Sequence, residues 1–188
     1  GQLAGAIGGD AVKGRAAVEA LPKPFRQGVL EHRFIDRVSG SLSITKAIVG
    51  HVSPARRRWG GIIADLTMDY LIAYDVEKIT GRSVADYCTN VEMTLQDSLE
   101  LTPEALAGKL EPILKYGLLG ACATVEGLEE VLTRLSRRSK RAGDVRLQEE
   151  LPALLAIEQE LREMALDDFA ELVYQVAEFR EVNDLPAD

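Results

Sequence analysis

Residues 147–182 read LQEELPALLAIEQELREMALDDFAELVYQVAEFREV and carry the longest regular pattern of the chain. Apolar residues return in it every three or four positions, which is the spacing of one face of an α-helix. These residues are Leu151, Leu154, Leu155, Leu161, Ala165, Phe169, Leu172, Val173 and Val176. Nowhere does the chain alternate apolar and polar residues over six positions with β-branched enrichment, so a sheet is not expected. The pattern predicts an all-α fold with a long final helix.

The same spacing recurs in the middle of the chain. Apolar stripes run over residues 84–95, 106–114 and 128–135, and the last stripe ends in the polar run 136–141 and Gly143. Thr102-Pro103-Glu104 is typical of a helix start, with Thr102 as the N-cap, proline at the first position and an acid in the first turn. These stripes predict further helices of ordinary length.

Proline and glycine divide the first third of the chain more finely. We expect helices over about residues 24–38, 42–49 and 53–79, since Pro24 fits a first turn and Ser39-Gly40 fits a helix end. Gly60-Gly61 would weaken the third of these by about 1 kcal/mol per glycine. In total we predict about seven helices. No linker divides the chain, so residues 1–188 are predicted to form one helical domain.

Charge is distributed unevenly along the 188 residues. The whole chain has 22 Lys and Arg against 30 Asp and Glu, a net charge of −8. Residues 1–63 hold 10 basic and 4 acidic side chains, net +6, whereas residues 64–188 hold 12 and 26, net −14. Overall acidity argues against nucleic-acid binding. A basic first third suggests a negatively charged partner, although the two parts could also neutralise each other within the fold.

The remaining composition indicates a reduced protein outside the membrane. Cys88 and Cys122 are the two cysteines, both in apolar helical settings, and two buried thiols are favoured over a disulfide or a metal pair. No run approaches 18 apolar residues, and no basic segment followed by an apolar stretch opens the chain. We therefore expect a cytoplasmic protein that binds no membrane.

Four short segments hold the residues that could carry chemistry. They are Gly9–Gly14, His32–Asp36, Arg56–Trp59 and Asp65–Asp69. Residues four apart on a helix share a face, so His32 and Asp36 project together, as do Asp65 and Asp69.

One imidazole and up to four carboxylates suit a hard or borderline divalent cation. The candidate ligands are Asp10, His32, Asp36, Asp65 and Asp69. Such an ion would lower the pKa of bound water and neutralise charge on a phosphoryl oxygen. Lys13, Arg33 and Arg57 would supply positive charge for phosphate recognition.

Each of these segments also has a structural interpretation. A His-x3-Asp pair on a helix is more often a surface hydrogen bond than a metal site. Asp65 and Asp69 could be solvated carboxylates or partners of arginines. The Arg56–Arg58 run is typical of a solvated surface, and Trp59 is typical of a core anchor.

The order of the segments resembles the acyl carrier protein phosphodiesterase family, helical hydrolases with an HD-domain-like architecture. The matching pattern is Gly9-Asp10-x-Val12-Lys13-Gly14, Leu21-Pro22, Gly28-x3-His32-Arg33-x2-Asp36, an arginine cluster and Asp65-x3-Asp69. The similarity continues through Tyr116, residues 128–138 and the final helix, so it covers nearly the whole chain.

This resemblance implies hydrolysis of the phosphodiester that joins 4′-phosphopantetheine to a serine of holo acyl carrier protein. The products would be apo carrier and free 4′-phosphopantetheine, the cofactor Mn²⁺ with Mg²⁺ as the alternative, and the partner an acidic carrier. It also implies Asp10 and His32 as catalytic residues, with Asp10 the first choice for a residue whose loss stops turnover. Metal ligands would be Asp10, Asp36, Asp65 and Asp69, and Lys13 and Arg33 would contact phosphate.

The chain departs from the family pattern at three places. Histidines that precede the Gly-Asp motif in the family are absent here, Ser39-Gly40 stands in place of Thr-Asp, and Tyr70 in place of histidine. Two alternatives therefore remain beside the phosphodiesterase. One is a catalytically impaired relative that binds a carrier or another acidic partner, and the other is an HD-like hydrolase acting on a different phosphodiester or nucleotide.

Overall fold

The computed structural model describes residues 1–138, 145–183 and 185. Within these residues the chain forms ten α-helices and no strand, which confirms the all-α prediction. The helices are α1 (Gln2–Gly8), α2 (Arg15–Glu19), α3 (Lys23–Ser39), α4 (Ser43–His51), α5 (Gly60–Thr80), α6 (Val84–Ser98), α7 (Glu104–Tyr116), α8 (Val125–Arg138), α9 (Leu151–Leu155) and α10 (Glu158–Val182).

The count of ten differs from the expected seven because three helices are short. α1 has seven residues, and α2 and α9 have five each. Apolar periodicity needs a window of about 11 residues, so helices of this length leave no readable signal. None of the helices among the described residues has the length and apolar character needed to cross a membrane.

The helices group into two compact units. Unit 1 is built from Gly1–Ser39, Ala85–Leu119 and the described residues from Glu171 onward. Unit 2 is built from Gly40–Val84 and the described part of Gly120–Ala170. A single domain over residues 1–188 stays a prediction.

Unit 1 is organised around α3. Helix α1 packs along α3 and also contacts α7, and the turn that follows α1 contacts both of these helices. The buried residues of this core are Ala4, Val12, Val18, Leu21, Phe25, Val29, Leu95, Leu106 and Leu110. The apolar stripe predicted over residues 106–114 therefore faces this core through Leu106 and Leu110.

Unit 2 is built around α5. Helix α4 packs on α5, and α8 packs on it as well. Ile44 and Ile48 of α4 are fully buried, as is Ile63 of α5. The predicted stripe over residues 128–135 contributes Leu128 and Leu132, which are at most 1% exposed. The end predicted for this helix at Gly143 lies outside the described residues.

The start predicted for the helix at Thr102 is wrong by one residue. Pro103 occupies the N-cap position and α7 begins at Glu104. The Thr102 hydroxyl donates to the carbonyl of Ser98 at 2.9 Å, and the carbonyl of Pro103 accepts from the amides of Leu106 and Ala107. A threonine hydroxyl can bond to a backbone carbonyl that precedes it instead of capping the helix that follows. Here the Thr102 hydroxyl bonds to the last residue of α6 and does not cap α7.

Two predicted long helices are interrupted. Residues 147–182 form a short 3₁₀ turn (Leu147–Glu150), then α9, then α10, and the amide of Ile157 bonds the carbonyl of Leu154 at the break. Residues 53–79 become helical only from the 3₁₀ turn Arg57–Trp59 and from Gly60 onward. The 3₁₀ turn before α9 and the segment before the Arg57–Trp59 turn share one polar cluster, formed by Ser53, Arg56, Glu149 and Glu150.

Glu150 is the centre of this cluster. Its carboxylate is buried and accepts from the Ser53 amide at 2.9 Å, the Ser53 hydroxyl at 2.5 Å and Arg56 Nη1 at 2.8 Å. Arg56 also pairs with Glu149. Burial favours the neutral acid, but the hydrogen bonds from Ser53 and Arg56 outweigh it and hold the pKa of Glu150 below its usual value. Arg56 therefore acts as a structural residue.

This cluster should make the protein sensitive to acid. A carboxylate whose pKa is lower in the folded state contributes its full stability above the unfolded value, here 4.5, and loses it as the pH falls further. We expect Glu150→Gln to lower the free energy of unfolding by about 2 kcal/mol at pH 7 and by less at pH 3. Urea unfolding at both pH values measures this, and an equal loss at the two would contradict the assignment.

Candidate metal centre

Asp10 lies at the junction of α1 and the chain that follows it. The 3₁₀ turn Gly9–Ala11 continues directly from α1, and Asp10 is exposed at its centre. His32 and Asp36 lie one turn apart on α3, the helix along which α1 packs. The turn after α1 therefore carries Asp10 to the face of α3 that bears His32 and Asp36.

Two glycines allow α1 and α3 to come this close. A Cβ on Gly28 would lie 2.0 Å from the carbonyl oxygen of Gln2 and 2.6 Å from the amide nitrogen of Ala6. A Cβ on Gly5 would lie 2.3 Å from the carbonyl oxygen of Phe25. All these neighbours are backbone atoms, so neither site accepts a side chain unless the helices separate.

A third glycine makes room for the imidazole. A Cβ on Gly9 would lie 2.6 Å from both Cγ and Cδ2 of His32. The His32 ring thus packs against the bare backbone of the turn that carries Asp10. The Gly9-Asp10 pair in the sequence is explained by this contact.

The three side chains meet at the His32 Nε2 atom. This atom lies 3.4 Å from Asp10 Oδ1 and 3.3 Å from Asp36 Oδ2. The imidazole is 19% exposed, whereas the Asp10 and Asp36 side chains are 61% and 60% exposed. One ligand atom from each residue lies within 4.8 Å of the other two. The predicted His32–Asp36 face is confirmed, and Asp10 joins it.

His32 Nε2 is buried and has no hydrogen-bond partner among the described residues. A buried ring nitrogen without a partner is costly, and this one lies between the two carboxylates. Imidazole and carboxylate together suit Mn²⁺ and related cations. The donor set therefore fits a divalent cation, with Asp10 and Asp36 supplying negative charge and open access to solvent.

Two cations predicted to contact phosphate lie in the same unit. Lys13 is exposed three residues after Asp10. Arg33 is also exposed, and its Nη2 donates to the carbonyl of Val12 at 3.0 Å. Arg33 thus ties α3 to the segment between Asp10 and Lys13.

Glu31 is a supporting residue that the sequence did not reveal. Its buried carboxylate accepts from Arg180 Nε at 3.0 Å and Nη2 at 2.8 Å, and from Gln2 Nε2 at 3.0 Å. These bonds join α1 and α10 to α3 one residue before His32. Nothing local in the sequence marks this pairing, because Arg180 follows Glu31 by 149 positions.

Asp65 and Asp69 belong to unit 2, one turn apart on α5. Both side chains are exposed to solvent. The protein around Asp69 nevertheless desolvates its carboxylate and raises its pKa to about 6, and the negative charge of Asp65 acts in the same direction. A carboxylic acid with a pKa this high is typical of functional positions. Their role as metal ligands stays a prediction.

Cys122 and Cys88 are free thiols, as predicted. Cys122 is buried, and burial together with the charge of Asp69 raises its pKa to about 11. Cys88 is only partly buried, so the prediction of two buried thiols is wrong for this residue, although partial burial still raises its pKa. Neither thiol is therefore ionised near neutral pH, which disfavours reactivity at both.

Tyr70 has a structural environment. It is buried in unit 2, and its hydroxyl donates to Glu158 Oε1 at 2.9 Å. Burial and this hydrogen bond raise the pKa of Tyr70 to about 12, so the phenol stays neutral.

Arg57, the third predicted phosphate contact, donates from Nη2 to the carbonyl of Val52 at 3.4 Å.

The helical frame and the Asp10–His32–Asp36 cluster define an all-helical protein with an imidazole–carboxylate site suited to a divalent cation. The model of the family described as acyl carrier protein phosphodiesterase matches residues 1–176 of the chain. The chain therefore belongs to the acyl carrier protein phosphodiesterase family, as the order of its motifs predicted. No curated protein and no solved structure matches the chain at a significant level.

Proposed function

We propose that this protein is a metal-dependent phosphodiesterase that removes 4′-phosphopantetheine from holo acyl carrier protein. Water attacks the phosphodiester that joins the arm to a serine of the carrier, and apo carrier and free 4′-phosphopantetheine leave. The observation that carries the proposal is the convergence of Asp10, His32 and Asp36 within the part of the chain that matches the family. The HD-domain-like architecture of the helices belongs to the same proposal.

Asp10, His32 and Asp36 would hold the cation, Mn²⁺ or alternatively Mg²⁺. When bound, such an ion supplies Lewis-acid stabilisation of charge on the phosphoryl group and makes water a better nucleophile. The exposed carboxylates leave the cluster open to a macromolecular substrate. His32, held by Gly9 and by the α1–α3 contact, keeps its Nε2 aimed at both carboxylates.

Four polar residues of unit 1 would act on the water and on the phosphodiester. Asp10 would also orient the attacking water, and His32 would either bind the cation or transfer the proton. Lys13 and Arg33 would neutralise the phosphodiester, since both are exposed cations, Arg33 next to His32 on α3 and Lys13 three residues after Asp10. Arg33 also keeps the Asp10–Lys13 segment in place through its bond to Val12.

A second candidate is a relative that binds the carrier without turnover. The environment of Tyr70 favours it, because a buried neutral phenol bonded to Glu158 replaces a histidine of the family pattern. Gly40, which stands where the family pattern has an aspartate, acts in the same direction. This candidate shares the fold and the carrier with the first, and differs only in chemistry.

Mass spectrometry of holo carrier separates the two candidates. The carrier is incubated with the protein and Mn²⁺, and in a parallel sample with a chelator in place of the metal. The phosphodiesterase predicts loss of the arm only in the sample with metal. An unchanged carrier mass, from folded protein supplied with metal, favours binding without turnover.

Gly9→Ala should lower turnover of the carrier without unfolding the protein. The new methyl group would overlap the His32 ring, so the ring would have to move away from its present position. Displacing a ligand or its support typically costs 10- to 100-fold in metal affinity or activity, and we expect a loss of about 30-fold. The rate of arm release and the concentration of Mn²⁺ for half activity measure it.

The control for this variant is Gly61→Ala, since a Cβ at that position meets nothing within 4 Å. It should retain the rate of the unsubstituted protein. A Gly9→Ala protein as active as this control would mean that the ring position does not matter for the reaction.

A further inference from the structure

Helix α3 carries a second feature beside the metal centre. Basic residues and one leucine follow each other along it at steps of three and four positions, which places them on one face. This basic stripe consists of Lys23, Arg26, Leu30, Arg33 and Arg37. All are exposed except Arg26, which is half-buried, and Leu30 is 40% exposed. An exposed leucine thus lies between two pairs of cations.

The positive charge of the stripe is not neutralised within the described residues. None of its four cations forms an ion pair with a described carboxylate, whereas Arg15 beside it pairs with Glu19 at 2.6 Å. Arg26 and Arg33 donate to the backbone carbonyls of Glu19 and Val12, and the Arg37 guanidinium lies 5.2 Å from the centre of the Phe34 ring. Such contacts hold the side chains in place and leave their charge to an outside partner.

The stripe lies next to the metal centre on the same helix. Arg33 follows His32 directly, and Arg37 follows Asp36. From Lys23 to Arg37 the stripe covers 15 residues, about 21 Å between its two ends at the rise of an α-helix. A partner helix of about four turns lying along the stripe would therefore present its neighbouring surface to the cluster.

We propose that this stripe is the docking surface for an acidic amphipathic helix of the carrier protein. The inference rests on the proposed function, since it identifies how the macromolecular part of the substrate is recognised. Acidic side chains of the partner pair with the four cations, and an apolar side chain packs on Leu30. Complementary charge of this kind speeds association and fixes the orientation of the partner. A nucleic acid would also bind to cations, but the net charge of −8 on the whole chain disfavours a nucleic acid as the partner.

The test is carrier binding by a charge-reversed protein and by a matched control. Lys23→Glu combined with Arg37→Glu reverses both ends of the stripe and leaves Arg33 and its bond to Val12 untouched. Lys46→Glu combined with Lys109→Glu makes the same change in net charge at exposed lysines of α4 and α7. Fluorescence anisotropy of labelled holo carrier gives the dissociation constant of each protein in metal-free buffer.

We expect the stripe variant to bind the carrier on the order of tenfold more weakly and the control to bind within about twofold of the unsubstituted protein. Raising the salt from about 0.1 M to about 1 M shortens the Debye length from about 10 Å to about 3 Å. This change should weaken carrier binding by the unsubstituted protein more than carrier binding by the variant. If the variant proves unfolded by circular dichroism, Lys23→Gln with Arg37→Gln takes its place with a smaller expected loss.

The inference is overturned if carrier binding weakens equally in the stripe variant and in the control. It is also overturned if the stripe residues bind duplex DNA and the protein binds no carrier. Binding that depends on the stripe without loss of the arm would refute the phosphodiesterase and retain the docking surface. Loss of the arm with carrier affinity independent of the stripe would do the reverse.

Discussion

Asp10→Asn should reduce the release of 4′-phosphopantetheine from holo carrier by about a thousandfold. Asparagine has nearly the shape of aspartate but lacks the charge, so it removes one of the two carboxylates beside His32 Nε2. A neutral amide binds a divalent cation weakly and orients a water molecule less firmly than a carboxylate does. Both proposed roles of Asp10 are lost together, which makes this the most damaging single change at the site.

The rate of arm release under saturating Mn²⁺ measures this loss. Asp97→Asn, at an exposed position of α6 in the same unit, is the matched control and should keep the original rate. Unfolding by urea should change by less than about 0.5 kcal/mol in both variants, because both sites are exposed. An Asp10→Asn protein as active as the control would remove Asp10 from the catalytic site.

Gly28→Ala should have the largest effect on stability, a loss of about 3 kcal/mol in the free energy of unfolding. The added methyl group would meet the backbone of Gln2, Gly5 and Ala6 at 2.0 to 2.9 Å. A backbone cannot rotate away as a side chain can, so α1 must move as a whole. That movement also withdraws the turn that carries Asp10, and metal affinity should fall with stability.

Gly108→Ala is the control with the opposite expected sign. Gly108 lies inside α7 of the same unit, and a Cβ there meets nothing within 4 Å. Alanine is favoured over glycine in a helix by about 1 kcal/mol, so this variant should gain stability. Urea midpoints of the two variants, measured side by side, would contradict the packing argument if both changes had the same sign.

Sequence periodicity predicts those parts of the fold that depend on local spacing. The helix expected over residues 24–38 is α3, with ends displaced by one residue each. Leu128 and Leu132 are buried because a helix with their spacing has one apolar face. The 3₁₀ turn that precedes α9 ends instead at a residue held by distant neighbours, through the bonds from Ser53 and Arg56 to Glu150.

The metal centre also has one part that local spacing predicts and one part that it does not. Helical spacing is enough to place His32 beside Asp36, whereas Asp10 was a candidate ligand by its residue type and by the resemblance, with no spacing that places it beside them. The close approach of α1 and α3 at Gly5 and Gly28 brings Asp10 there, and contacts between helices are not encoded in the periodicity of either one. The partner of Tyr70 was equally hidden, because Glu158 lies 88 positions away.

Binding of Mn²⁺ tests the central claim most directly, since it does not require turnover. Electron paramagnetic resonance of the free ion during a titration gives the number of bound ions and their affinity. We predict a Mn²⁺ site in the unsubstituted protein that is lost when Asp10→Asn and Asp36→Asn are combined. The same number of ions bound with the same affinity in the folded double variant would contradict the claim that Asp10, His32 and Asp36 form the metal centre.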